Sequence, residues 1–119
     1  MRMYNDRNYK HFTQLLMKMN PVIHFELPAE DRKRMVTFYE DTFGWKTNQM
    51  GEEMGNYVVV TTTECDEMGG TPKVPGQING GFYQTAPEMG KSHPSVVIEV
   101  DDIKDHMKKV VQAGGESHW

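Results

Sequence analysis

The chain has 119 residues and a formal net charge of -4, with a mean hydropathy of -0.69 and a pI near 5.7. That length holds one domain with a modest core, and Lys and Arg scattered among acids argue against nucleic acid as a partner. No apolar run approaches the roughly 20 residues of a membrane span, residues 12–17 are too broken by Thr13 and Gln14 for a signal-peptide core, and the single cysteine, Cys65, cannot form an internal disulfide, so a cytoplasmic location is expected.

Residues 1–18 read as an N-terminal extension in which Tyr9, Phe12, Leu15, Leu16 and Met19 have helical spacing, and residues 19–119 as the domain itself. Residues 22–27 alternate with period 2, so Ile23, Phe25 and Leu27 share one face of a strand and Val22, His24 and Glu26 the other. Pro28 is expected to end that strand. Asp31 is a plausible N-cap for a helix whose stripe is Met35, Phe38, Tyr39, Thr42 and Phe43, and Gly44 supplies the left-handed position that closes it. Residues 45–50 and 57–63 read as two strands joined by a turn over 51–56, with a β-branched run in the second. Residues 64–79 read as a long loop, since Gly and Pro crowd its latter part, and residues 80–84 as a fourth strand.

The opening plan then recurs. Residues 95–100 (Ser-Val-Val-Ile-Glu-Val) match residues 22–27, Asp102 matches Asp31, Ile103, Met107, Val110 and Val111 form the second stripe, and Gly115 stands at the same distance from Asp102 as Gly44 from Asp31. Internal repeats fix architecture before other signals do. The expected fold class is α+β: a βαβββ module over 19–91 followed by an incomplete second βα module over 92–119, with helices on the outer face of a mixed sheet. A sheet edge and helix stripe left open by an incomplete module are templates for a second chain, so a homodimer is expected, with the partner or the N-terminal extension supplying what the module lacks and exchange of elements as one way to close it.

His24-Phe-Glu-Leu, Asp31 and the run Phe38-Tyr39-Glu40-Asp41-Thr42-Phe43-Gly44-Trp45 resemble the opening of the vicinal oxygen chelate superfamily, which includes glyoxalase I, bleomycin-resistance proteins and extradiol dioxygenases. Asn79-Gly80-Gly81 resembles the start of the fourth strand in glyoxalase-like members. The resemblance implies a half-barrel whose inner wall holds a metal or a small ligand. It also implies metal ligands from the first strand of each module and from near the end of each sheet. His24 occupies the first of these positions, Ser95 stands at the equivalent place in the second module, and residues 82–84 offer no carboxylate.

His24 and Glu26 are the candidate catalytic residues, because an imidazole beside a carboxylate is a pairing that moves protons; the alternative is a structural hydrogen-bonded pair. The candidate ligand-binding set adds Tyr57, Phe82, Ser95, Val97 and Glu99. No cofactor is expected. A divalent metal would find only His24 and Glu26, fewer than the three or four protein ligands such sites use. His11, His106 and His118 read as surface residues, and residues 69–76 are Gly-rich without the strand-to-helix context of a phosphate loop. The expected function is capture of a small molecule in the half-barrel cavity; the alternative is a metal-dependent lyase, isomerase or dioxygenase of the glyoxalase type.

Overall fold

The computed structural model describes residues 18–67 and 70–117; the extension's helical stripe, apart from Met19, lies outside them. The chain divides into two compact units, Val22–Glu99 and a second made of the flanking segments Met1–Pro21 and Val100–Trp119.

The larger unit is α+β. It consists of β1 (Val22–Ala29), α1 (Arg32–Phe43), β2 (Lys46–Gln49), β3 (Val58–Thr61), β4 (Asn79–Gln84) and β5 (Ser95–Ile98), with short 3-10 turns at Glu52–Met54 and Pro87–Met89. The strands form one open mixed sheet in the order β2-β3-β4-β1-β5. Strand β1, inside the sheet, runs parallel to β4 and antiparallel to β5. Crossing from β1 to its parallel neighbour requires a long connection, which α1 and the β2–β3 hairpin supply.

Local sequence explains each boundary of α1. The Asp31 side chain accepts from the Arg34 amide at 3.1 Å, the N-cap role read from sequence. Gly44 adopts φ 70° and its amide donates to Glu40 O. Arg32 reaches past the helix start to donate to the carbonyls of Met50 and Asn56, at 2.7 and 3.2 Å, tying the β2–β3 turn to α1. Two expectations are corrected. Strand β1 continues through Pro28 to Ala29, because Pro28 sits beyond the last pair with β5, Glu26↔Ser95, an edge position where a missing N–H is tolerated. The buried residue of α1 is Val36, with Met35 and Tyr39 half-buried, while Phe38 and Phe43 are 53% and 58% exposed. The aromatic side chains nonetheless hold together at the helix end, where Tyr39 stacks on Trp45 at 4.7 Å and 9°.

The core lies between α1 and one face of the sheet: Ala29, Val36, Val58, Val60 and Phe82 are buried, with Phe25, Leu27, Met35, Tyr39 and Trp45 packed against them. Sheet parity makes this inevitable. Leu27 pairs with Phe82 and Phe82 with Val58, and paired residues point to the same face. At the far end, Asn79 is 1% exposed and fully used. Its Oδ1 accepts from the Thr62 amide at 2.8 Å and its Nδ2 donates to Gly70 O at 3.2 Å, which anchors the long loop to the start of β4.

In the smaller unit, α2 (Ile103–Gln112) is capped by Asp102, which accepts from the Asp105 amide at 3.1 Å, and Gly114 leaves it at φ 97°. The cap at Asp102 matches the sequence reading. No residue of α2 is buried, and Ile103, Val110 and Val111 are 51%, 45% and 56% exposed. Lys18 Nζ lies 2.5 Å from Asp101 Oδ1, and this contact holds the Asp101 carboxyl below its ordinary range. Both partners are solvent-exposed, so the pair adds little to stability.

Candidate functional site

The face of the sheet turned away from α1 carries the candidate residues. Phe25 and Leu27 pack into the core, so alternation along β1 turns His24 and Glu26 to the other side. Across the β1–β5 ladder His24 pairs with Val97 and Glu26 with Ser95, which places these four on one face, as the repeat implied. Glu99 follows the end of β5 and is exposed, outside the paired ladder. His93, whose carbonyl accepts from the Tyr83 hydroxyl at 3.1 Å, also lies outside the strand.

The organising contact on this face comes from the β2–β3 turn. Tyr57 Oη donates to Glu26 Oε2 at 2.8 Å, across a sequence separation of 31 residues. Two strands stand in this order because β4 lies between β3 and β1, and the phenol must therefore cross β4. It crosses over Gly81, where a Cβ would lie 1.9 Å from the Tyr57 hydroxyl and 2.1 Å from its ring carbon Cζ. Gly80 does the corresponding service on the core face, where a Cβ would meet the Phe25 ring at 2.7 Å and the Phe25 carbonyl at 2.4 Å. Successive glycines thus let one aromatic side chain lie against each face of β4. This is the physical content of the Asn-Gly-Gly sequence.

Burial raises the Tyr57 hydroxyl well above its ordinary pKa, and the hydrogen bond to Glu26 and the negative charge of that carboxylate push it further the same way. Tyr57 is therefore a proton-bearing donor over the whole physiological range, and its bond fixes the Glu26 carboxylate in place. No hydrogen bond joins Glu26 to His24, so the expected imidazole–carboxylate pair is replaced by a phenol–carboxylate pair with His24 two residues along the same strand face.

Phe82 requires correction. The sequence places it in the ligand-binding set, but it is 0% exposed, in the core against Tyr39 at a centroid separation of 5.4 Å. Gly81, on the opposite parity, occupies the site face instead; the sequence marks it only as part of the Asn79-Gly80-Gly81 start of the fourth strand.

The model of the bleomycin resistance protein-like N-terminal family matches residues 22–63, a span that includes β1, α1, β2, Tyr57 and β3. A glyoxylase-like domain-containing protein of Didymella fabae is 33% identical over 93 residues, which cover 76% of this chain and 66% of that protein. The chain belongs to the vicinal oxygen chelate superfamily. It spans about two thirds of the length of the relative it matches.

The superfamily's metal site does not fit the residues described here. His24 has Val97 opposite it on β5, Glu26 has Ser95 opposite it, and the next β4 position is Gly81. Glu26 is also engaged by Tyr57. Among the described residues no three His, Cys, Asp or Glu side chains converge as a metal site requires.

Proposed function

We propose that the chain captures a small molecule against the sheet face bearing His24, Glu26 and Tyr57, with Ser95 and Val97 beside them, in the manner of a bleomycin-resistance-like binder. The supporting observation is the 2.8 Å bond from Tyr57 to Glu26 across Gly81. It commits a half-buried phenol and a carboxylate to one geometry before any ligand arrives, and preordered polar groups reduce the cost of binding. The second carboxylate oxygen of Glu26 accepts from a ligand N–H or O–H, the Tyr57 ring supplies an apolar surface, and His24 and Ser95 add polar contacts at the edge. A metal-dependent lyase, isomerase or dioxygenase is the second reading, favoured by the position of His24 on the first strand; it requires donors beyond those described.

Isothermal titration with metal-free bleomycin tests the first reading, since the matched family model takes its name from resistance to that compound. Saturable binding weakened at least about tenfold by Glu26→Gln and by Tyr57→Phe is expected, because each change removes a charged hydrogen bond on the order of 1.5–3 kcal/mol. Binding indifferent to both substitutions would overturn the assignment. Titration with zinc, nickel, manganese and ferrous iron tests the second reading, which predicts a His24-dependent stoichiometric site.

A homodimer is part of the same proposal. In the described sheet β5 is paired on one side only, with Val96 and Ile98 60% and 53% exposed, and a half-paired apolar strand is a surface that another chain completes. A monomeric mass in light scattering at micromolar concentration would refute it.

A further inference from the structure

A second concavity lies in the larger unit, at the end of the sheet where parallel strands β1 and β4 finish. There β1 turns into α1 and β4 into the segment 85–92, and the two paths part. Between them opens a cavity of about 870 Å³, within the size range of small-molecule sites. One wall is apolar: Met35, Phe38 and Tyr39, at i, i+3 and i+4 on α1, line it. Phe38 is half-exposed, and its ring stands edge-on to Tyr39 at 5.0 Å and 89°, so a flat aromatic surface remains to be covered.

Charge distinguishes this cavity from the rest of an acidic chain. Arg34 from the helix and Lys91 from the opposite segment line it, together with Glu30 and Asp31. Asp31 is committed to the Arg34 amide as the helix cap. Neither Arg34 nor Lys91 forms a salt bridge among the described residues, so two uncommitted cations face one uncommitted carboxylate. The formal charges of the lining, two cations and two carboxylates, sum to zero in a chain of net charge -4.

We infer that this cavity is a second ligand site, taking a small molecule that joins a flat apolar body to a single anionic group. The apolar body lies on Phe38, Tyr39 and Met35, where burial of ring surface supplies most of the affinity. The anion sits between Arg34 and Lys91, whose guanidinium and ammonium groups are its natural partners. This inference stands apart from the binding proposed on the opposite sheet face, because no lining residue is shared.

The test uses 1-anilinonaphthalene-8-sulfonate, a fluorescent aromatic monoanion, with neutral N-phenyl-1-naphthylamine as its uncharged counterpart, both titrated into the full chain. Saturable one-to-one binding of the anion is expected, with Kd on the order of 10–100 μM for a ligand of that size in an open site. The double substitution Arg34→Glu with Lys91→Glu should weaken the anion by about tenfold and leave the neutral probe within about twofold. Phe38→Ala should weaken both. Lys33→Glu, a charge reversal on α1 outside the cavity lining, should change neither. The pair Arg34→Lys with Lys91→Arg keeps the charge and should retain binding, which separates loss of charge from loss of fold. Equal effects of Lys33→Glu and of the double reversal, or anion binding untouched by the double reversal, would overturn the inference.

Discussion

Substituting Gly81 by Ala tests the architecture of the site face through a single methyl group. The added Cβ would lie 1.9 Å from the Tyr57 hydroxyl, 2.1 Å from Cζ and 2.4 Å from Cε1. Contact distances for real Cβ atoms essentially never fall below 3.0 Å, so the phenol must retreat by about 1 Å or more, and its bond to Glu26 cannot survive that movement. A hydrogen bond to a charged group contributes about 1.5–3 kcal/mol, the lower end applying to a half-buried ring. Displacing the ring from its packed position adds a strain or exposure cost of similar size. The expected loss for Gly81→Ala is therefore about 2–4 kcal/mol, measured by urea unfolding with an unchanged m-value. In a Tyr57→Ala background the obstruction is gone and the same substitution should cost under about 0.5 kcal/mol, giving a coupling of at least about 1.5 kcal/mol in a double-mutant cycle. If Gly81→Ala costs the same with and without the Tyr57 ring, the phenol does not cross β4 at Gly81 and the site geometry is wrong.

Phe82→Ala should destabilise by about 3–5 kcal/mol, as expected for a fully buried ring, and Phe82→Leu by much less, both read from denaturant midpoints; a neutral Phe82→Ala would return the residue to the ligand site. Asp31→Ala removes the N-cap of α1 and should cost about 1 kcal/mol, recovered in good part by Asp31→Ser. The raised pKa of Tyr57 stabilises the fold fully below the unfolded tyrosine value of about 10, and that contribution is lost as pH rises toward the folded value. Unfolding free energy should accordingly fall above about pH 10 in the native chain and fall less steeply in Tyr57→Phe; parallel pH profiles for the two would contradict the assigned cause.

Much of the fold was legible because its signals are local. Alternation through 22–27 set which side chains of β1 turn away from α1, and Asp31, Gly44 and Asp102 marked helix ends by chemistry that acts within one turn. The match between 22–27 and 95–100 puts Ser95 and Val97 on the face that corresponds to His24 and Glu26, and the antiparallel pairing of the two strands then sets Ser95 opposite Glu26 and Val97 opposite His24. Phe82 was misread for an identifiable reason. Alternation along a strand is read from its apolar residues, and β4 begins Asn-Gly-Gly, so nothing local says which face Phe82 takes; its pairing with Leu27 decides it. The bond from Tyr57 to Glu26 depends on the register of two non-adjacent strands and on the bare backbone between them. The sequence places Tyr57 in the ligand-binding set, and its service as donor to Glu26 follows only from the sheet order. The inward face of α1 includes Val36, one turn from Arg32, whose guanidinium donates to the Met50 and Asn56 carbonyls 18 and 24 residues away. The cavity beside Phe38 arises where two chain paths diverge, and periodicity carries no record of that.

The central claim is that a small molecule is recognised on the sheet face organised by Glu26 and Tyr57. The most direct measurement is amide and side-chain chemical-shift mapping on the isotopically labelled full chain titrated with metal-free bleomycin. A saturable set of shifts centred on His24, Glu26, Tyr57, Gly81 and Val97, abolished in Tyr57→Phe, is the expected result. Shifts confined to α1 and residues 85–92, or no saturable shifts on the sheet face with bleomycin in excess, would contradict it.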